Sequence, residues 1–346
     1  MAGKGLLARL KKGPVICAEG YLFELERRGY LQAGAFVPEA VLEHPRVVEQ
    51  LHRDFVHAGS DVVEAFTYYA HREKLRIIGR EKDLERMNHK ALKIARKVAE
   101  ETGTLFAGDI CNTNIYDPHD KASADKASAM FEEQVAWAKE EGVDFVIAET
   151  FSYAAEAKLA LKAIKKTRLK ACVTLTMHRS DDTRDGMKPE DAMKMLADEG
   201  ADVVGYNCSR GPKTMLPLIE RTVKAVKVPV AFLPVPYRTT PEQPTFQSLR
   251  DPGCSCIPDD RPFPVALDAL TCNRYEMAEY TKAAYDAGAR YLGVCCGAMP
   301  HHIRAVAEAL GRRPPASRYS ADMSKHAFFG IDPSLIRENT EYAKQL

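Results

Sequence analysis

The chain has 346 residues, with 49 Lys and Arg against 48 Asp and Glu and a formal charge of +1. Balanced charge leaves no electrostatic footprint for nucleic acid, and no run of about 18 apolar residues is present to span a bilayer. The basic opening stretch, Met1 to Pro14, lacks the apolar core and cleavage site of a signal peptide, so a cytoplasmic globular protein is expected.

Short β-branched runs alternate with helical patterns along the chain. Val15–Ala18 reads as the first strand. Val47, Leu51 and Phe55 then recur at i, i+4 and i+8 behind Pro45, a residue suited to a first helical turn. Strands are expected at Asp61–Thr67 and Thr104–Asp109, and Phe131, Val135 and Ala138 form the next helical stripe. Val143–Glu149 and Ala171–Thr176 follow, then a helix with Met193 and Leu196 inward. Asp202–Asn207, Val228–Leu233 and Arg290–Val294 complete eight strands. Eight strands alternating with helices predict a (β/α)8 TIM barrel of the α/β class. The barrel is expected to be a single domain over residues 1–312, with Pro314–Pro315 leading into a polar tail at 313–346. One long stretch without periodicity, Pro234 to Phe263, is rich in proline and reads as a lid or binding loop.

An internal repeat supports the barrel. Gly59-Ser-Asp-Val-Val-Glu-Ala-Phe-Thr67, Gly142-Val-Asp-Phe-Val-Ile-Ala-Glu-Thr150, Gly200-Ala-Asp-Val-Val-Gly-Tyr-Asn-Cys208 and Gly288-Ala-Arg-Tyr-Leu-Gly-Val-Cys-Cys296 share one pattern. Each opens on a glycine able to end a helix in the left-handed region and runs into a buried strand. These are strands two, four, six and eight, whose equivalent positions share layers. Thr67, Thr150, Cys208 and Cys296 are therefore expected in one ring at the C-terminal rim, with Glu149 and Cys295 one residue below.

Nine cysteines are many for a reducing compartment, and the odd number argues against a closed disulfide framework. Cys208, Cys295 and Cys296 fall on neighbouring strand ends, and three thiolates plus an open position suit a catalytic zinc. Three thiolates also leave the site net negative, so that a fourth, substrate thiolate stays electron-rich. Adjacent strand residues face opposite ways, so the use of both Cys295 and Cys296 requires the strand to end there, and Gly297 supplies the freedom. Cys254 and Cys256 form a rival pair on the Pro-rich loop. Cys17, Cys111, Cys172 and Cys272 read as packing.

Gly205-Tyr-Asn-Cys208, Gly293-Val-Cys-Cys-Gly297 and Pro300-His-His-Ile-Arg-Ala305 resemble the zinc motifs of the homocysteine S-methyltransferase family. Gly20-Tyr-Leu-Phe-Glu-Leu-Glu-Arg-Arg-Gly-Tyr30, Leu51-His-Arg-Asp-Phe55 and Phe66-Thr-Tyr-Tyr-Ala70 are similar to its betaine-using branch. The resemblance spans roughly residues 5 to 310. It implies a zinc barrel in which Cys208, Cys295 and Cys296 hold Zn²⁺. L-homocysteine would accept a methyl group from a small onium donor there, giving methionine. By the same resemblance Glu149 holds the homocysteine ammonium group, Gly20 brings backbone close to the amino acid, and Tyr69 lines the donor pocket. Diffuse onium cations are attracted to aromatic faces by about 0.5–2 kcal/mol each, and Phe36, Tyr68 and Tyr69 are placed to supply them.

The chain departs from the family pattern at four places. Ala18-Glu19-Gly20 stands where the family has Asp-Gly-Gly, so Glu19 is the candidate for the displaced acid. Thr150 replaces a donor-pocket Tyr, with Tyr153 nearby in sequence, and Phe36 replaces a Trp. The tail beyond residue 316 is shorter than the family's dimerisation arm, and a homo-oligomer is left open. Glycine betaine and dimethylsulfoniopropionate are the first expected donors. S-methylmethionine, S-adenosylmethionine and a zinc- or thiol-binding barrel without turnover are the alternatives. A redox role for Cys295–Cys296 lacks the Cys-x-x-Cys spacing, and no Gly-x-Gly-x-x-Gly follows the first strand to bind a dinucleotide.

Overall fold

The β-branched runs form eight strands: β1 Val15–Ala18, β2 Val62–Glu64, β3 Leu105–Cys111, β4 Phe145–Phe151, β5 Lys170–Leu175, β6 Val203–Asn207, β7 Val230–Leu233 and β8 Ala289–Val294. They pair in parallel, in sequence order, and β8 closes on β1, making the expected (β/α)8 barrel. These are the findings of a computed structural model that describes residues 5–346.

The helices cover the barrel in the way their stripes predict. In the helix Pro45–Ala58, Leu51 and Phe55 are buried, while Val48 rather than Val47 completes the inner face. Phe131, Val135 and Ala138 are buried in Lys121–Glu140, as are Met193 and Leu196 in Pro189–Asp198. Each buried Leu, Phe or Val of this kind contributes about 1.5–3 kcal/mol. The repeat glycines Gly59, Gly142, Gly200 and Gly288 all have positive φ, at 120°, 80°, 99° and 117°. They turn each helix into its strand without a Cβ penalty.

Inside the barrel the lower layer is apolar, packed from Val15, Cys17, Phe145, Cys172, Leu233 and Tyr291 among others. Cys17, Cys111, Cys172 and Cys272 are all buried, in keeping with a packing role. Beyond the helix Pro300–Ala309, Arg312 ties the barrel's end to its beginning through Asp61 and the Pro14 carbonyl. The chain then continues over the surface, with Ile331 84% and Ile336 63% exposed. No helix among the described residues is long and apolar enough to cross a membrane.

The expected common depth of the repeat's ninth residues does not hold. β2 stops at Glu64, so Thr67 lies beyond it in a turn, its hydroxyl donating to the Asp109 carbonyl at 2.7 Å. β4 instead runs through Thr150 to Phe151, with a register break against β5 between Ala148 and Phe151. Thr150 has φ +62° at this bulge, and bulges of this kind re-aim side chains near active sites.

Candidate active site

β6 ends at Asn207 and β8 at Val294, which frees Cys208, Cys295 and Cys296 from the strict alternation of a strand. Cys208 has φ +58° and Gly297 +92°. Together these turns bring the three sulfurs within 4.8 Å of one another. A tetrahedral zinc with Zn–S bonds of about 2.3 Å separates its sulfurs by roughly 3.8 Å, so the triad fits that ion with little adjustment. Cys208 ionises first, because Cys295 and Cys296 both present S–H groups to its sulfur and hold its thiol well below the usual range. Burial pushes the Cys295 thiol well up, and the hydrogen bond given to Cys208 does the same for Cys296. Cys254 and Cys256, the rival pair, are joined to each other in a disulfide on the loop after β7 and so offer no ligand set.

The sequence expectation of glycine after the Cys pair has a steric reason. A Cβ on Gly297 would lie 2.3 Å from the Tyr237 hydroxyl, and Tyr237 is fully buried and accepts a hydrogen bond from Arg27 at 3.0 Å. Gly20 is held to glycine in the same way, since a Cβ there would lie 2.6 Å from the Ala298 Cβ. The turn bearing the thiols thus packs directly on the segment after β1.

Glu149 is 4% exposed and its carboxylate accepts hydrogen bonds from the Thr150 hydroxyl at 2.7 Å and from the Asn207 amide. Burial raises its pKa to about 7, against these two hydrogen bonds. Glu19 is also buried, and Asn207 reaches its Oε2 at 3.4 Å. Burial first, then the charge of Glu149, pushes the Glu19 pKa well up. Asn207, which sequence reasoning did not single out, is the organiser. Its oxygen accepts from the Thr150 amide and the Thr174 hydroxyl, both at 2.9 Å, which fixes the amide end toward the acids. Its place immediately before Cys208 in the repeat was the available signal.

Above the thiols opens a cavity of about 460 Å³. Phe36, Tyr68, Tyr69, Thr150, Cys208 and Cys296 all line it, so the structure brings these candidates together; Glu19 and Glu149 line a smaller space beneath, with Cys295, Cys296 and Tyr68. Tyr68 and Tyr69 lie with ring centroids 4.2 Å apart, and Phe36 stacks on Phe23 at 5.8 Å. Tyr153 also lines the cavity, edge-on to Tyr116 at 5.4 Å. Phe246 and Phe263, from the Pro-rich segment after β7, complete the wall. That segment is packed on the barrel mouth, with Phe246 stacked on Tyr237 at 5.8 Å. Arg184 is the one Lys or Arg among the lining residues, its guanidinium 5.9 Å from the Tyr153 ring. Its backbone N–H donates to the Ser152 carbonyl, and the neighbouring Asp185 caps the helix Ala154–Lys166 through the amides of Ala154 and Ala155.

A closed (β/α)8 barrel with three converging thiols at its C-terminal mouth, under an aromatic cavity, has the architecture of a barrel enzyme and carries a ligand set suited to a metal ion. Comparison with known proteins gives the family. The model of the homocysteine S-methyltransferase family matches residues 16–310. Betaine–homocysteine S-methyltransferase 1 of Danio rerio is 38% identical over 338 residues, covering 94% of this chain and 80% of that one. The S-methylmethionine–homocysteine S-methyltransferase of Pongo abelii is 36% identical over 340 residues, covering 95% and 87%. Among solved structures, the metallated homocysteine methyltransferase of Escherichia coli superposes with a TM-score of 0.68 at 20% identity, covering 86% of this chain and 97% of that one. This chain belongs to the homocysteine S-methyltransferase family and is an S-methyltransferase.

Proposed function

We propose that the protein moves a methyl group from a betaine-like onium donor, glycine betaine or dimethylsulfoniopropionate, to L-homocysteine in a zinc-dependent reaction. The observation that carries this reading is the placement of the thiol triad at the floor of an aromatic cavity. Zinc held by Cys208, Cys295 and Cys296 supplies a positive centre that keeps the homocysteine sulfur deprotonated at neutral pH.

The remaining roles belong to the chain's own side chains. Glu149 and Glu19 receive the homocysteine ammonium group, a cation that relieves two buried acids lacking a basic partner. Thr150 and Asn207 hold Glu149 in place for this. Phe36, Tyr68 and Tyr69 face the onium cation, whose diffuse charge aromatic rings stabilise. As the sulfur–carbon bond forms, the donor's carbon–heteroatom bond breaks and a neutral amine or sulfide leaves. The onium charge disappears along this path, so the rings favour binding of the donor over its product. Arg184, fixed over Tyr153, receives the donor carboxylate and turns the methyl toward the thiols.

S-methylmethionine is the second reading. It is supported by the 36% identity to a relative named for that donor. A donor panel with homocysteine and zinc-loaded enzyme separates the two, read as methionine formed. Greater turnover with S-methylmethionine than with either carboxylate betaine overturns the donor assignment. Retained zinc and activity in Cys208→Ala overturn the whole mechanism.

A further inference from the structure

The Pro-rich segment after β7 carries a second sulfur pair that the methyl-transfer chemistry does not use. Cys254 and Cys256 are joined in a disulfide with Cα atoms 5.5 Å apart, inside the roughly 4.4–6.8 Å that such a bridge spans. The same segment supplies Phe246, Gln247 and Phe263 to the wall of the cavity above the thiol triad, so the pair belongs to the rim of the site. Cys254 is half-buried, and Cys256 is the one exposed cysteine among the described residues.

The bridge does little for the fold. It encloses a single residue, Ser255, and so removes almost no freedom from the unfolded chain. The turn is closed without it: the Cys254 N–H donates to the Asp251 carbonyl at 3.2 Å, and the Gly253 N–H to Asp251 Oδ1 at 3.1 Å. Two sulfurs held side by side, one of them open to attack, form a pair that gains and loses its bond by exchange. The charge around them selects the partner. Asp251, Asp259 and Asp260 flank the pair, against Arg250 and Arg261, and the Arg250 guanidinium is turned onto the Ser248 and Leu249 carbonyls. A disulfide with net negative charge, such as that of glutathione, is disfavoured here, whereas a disulfide of two zwitterionic amino acids carries no net charge. Homocysteine forms such a disulfide, homocystine, and in that form it has no thiolate to give to a metal ion.

We propose that Cys254 and Cys256, as a dithiol, reduce the disulfide of the acceptor amino acid at the mouth of the cavity and release it as free thiol; this rests on homocysteine being the acceptor. The Cys256 thiolate attacks one sulfur of homocystine, the homocystine S–S bond breaks, and one homocysteine thiolate leaves. The Cys254 thiolate then attacks the Cys256 sulfur and expels the second homocysteine. Two electrons pass from the protein pair to homocystine, and the two protein thiol protons end on the two homocysteine molecules. The pair is left as the disulfide seen in the structure. A dithiol reductant returns it to the starting state by the same kind of exchange.

The test uses the full-length, zinc-loaded protein, reduced with a dithiol and then freed of it, with no methyl donor present. Homocystine and glutathione disulfide are the probes. The wild-type protein is expected to release two homocysteines per chain in a single turnover, with a mass loss of two hydrogens confined to the peptide bearing Cys254 and Cys256. It is expected to react at least about tenfold faster with homocystine than with glutathione disulfide. Cys256→Ser is expected to slow the release at least about tenfold, and Cys254→Ser to stop at a mixed disulfide with one homocysteine held on Cys256. Both variants keep their zinc and a wild-type melting curve. No homocysteine released by the wild type, equal release by Cys256→Ser, or release that tracks loss of zinc overturns the site. Glutathione disulfide reacting as fast as homocystine overturns the choice of partner. Because no donor is present, these results stand apart from methyl transfer, and absence of turnover in the donor panel would defeat that reading alone.

Discussion

Replacing Gly297 by Ala tests whether the turn that presents the thiols is set by close packing. Gly297 has φ +92°, a conformation that costs an L-residue about 1–3 kcal/mol. The added Cβ would sit 2.3 Å from the Tyr237 hydroxyl, 2.7 Å from Cζ and 2.8 Å from Cε2. Tyr237 cannot withdraw, since it is fully buried, stacked on Phe246 and bonded to Arg27. Overpacking against such a group costs a further ~1–3 kcal/mol. The total, roughly 2–6 kcal/mol, is a large share of the 5–15 kcal/mol typical of a folded protein. Gly297→Ala is therefore expected to lower the guanidinium midpoint of the metal-free protein. The Cys295–Gly297 turn shifts to relieve the clash, so zinc is also expected to pass to a chelator at least about tenfold more readily. Adding Tyr237→Phe removes the nearest atom and is expected to restore part of the stability, but not the part due to φ. A Gly297→Ala protein within about 0.5 kcal/mol of wild type and with wild-type zinc affinity refutes the reasoning.

Further outcomes follow from individual side chains. Arg184→Gln is expected to raise KM for carboxylate-bearing donors about 10–100-fold, the loss of a charge-assisted contact, with little change in homocysteine KM; equal effects on both substrates would place Arg184 outside the donor site. Phe36→Trp enlarges the aromatic face and is expected to lower KM for a trimethylammonium donor several-fold, as read from initial rates. His52 is buried against Tyr21 with neither ring nitrogen bonded, and burial lowers its pKa to about 3. The unfolded chain takes up that proton below about pH 6.5 and the folded one does not. Stability is therefore lost as pH falls from about 6.5 toward 3, at about 1.4 kcal/mol per pH unit. His52→Phe is expected to shift acid unfolding to lower pH, and an unchanged midpoint would contradict this. Zinc binding must displace thiol protons, so its affinity is expected to rise with pH between 6 and 8 in a competition titration; a flat profile would argue against Cys295 and Cys296 as ligands.

Much of this architecture is legible in the sequence because helix and strand periods are local signals. The glycines at 59, 142, 200 and 288 mark the helix-to-strand turns, and their positive φ angles follow from the same chemistry. The thiol triad was legible too, because Cys208 and Cys296 occupy the same position of the repeat. Strand ends were less so. Thr67 and Thr150 share that repeat position, but β2 stops three residues before Thr67 and β4 continues past Thr150 through a bulge. Tertiary pairing, which no local pattern encodes, decides where each strand stops. The acids at Glu64 and Asp109 look like ordinary strand residues in sequence. Only barrel closure turns them inward beside Glu19 and Glu149. Phe246, Phe263 and Arg184 come from irregular segments, where the absence of a period leaves the direction of a side chain unwritten.

The central claim is that the three cysteines hold zinc and leave one position for the homocysteine sulfur. X-ray absorption at the zinc edge tests it most directly. The account predicts three sulfurs and one lighter atom around zinc in the resting enzyme, and four sulfurs after homocysteine is added. Fewer than three sulfurs at rest, or an unchanged shell with homocysteine bound, would contradict it.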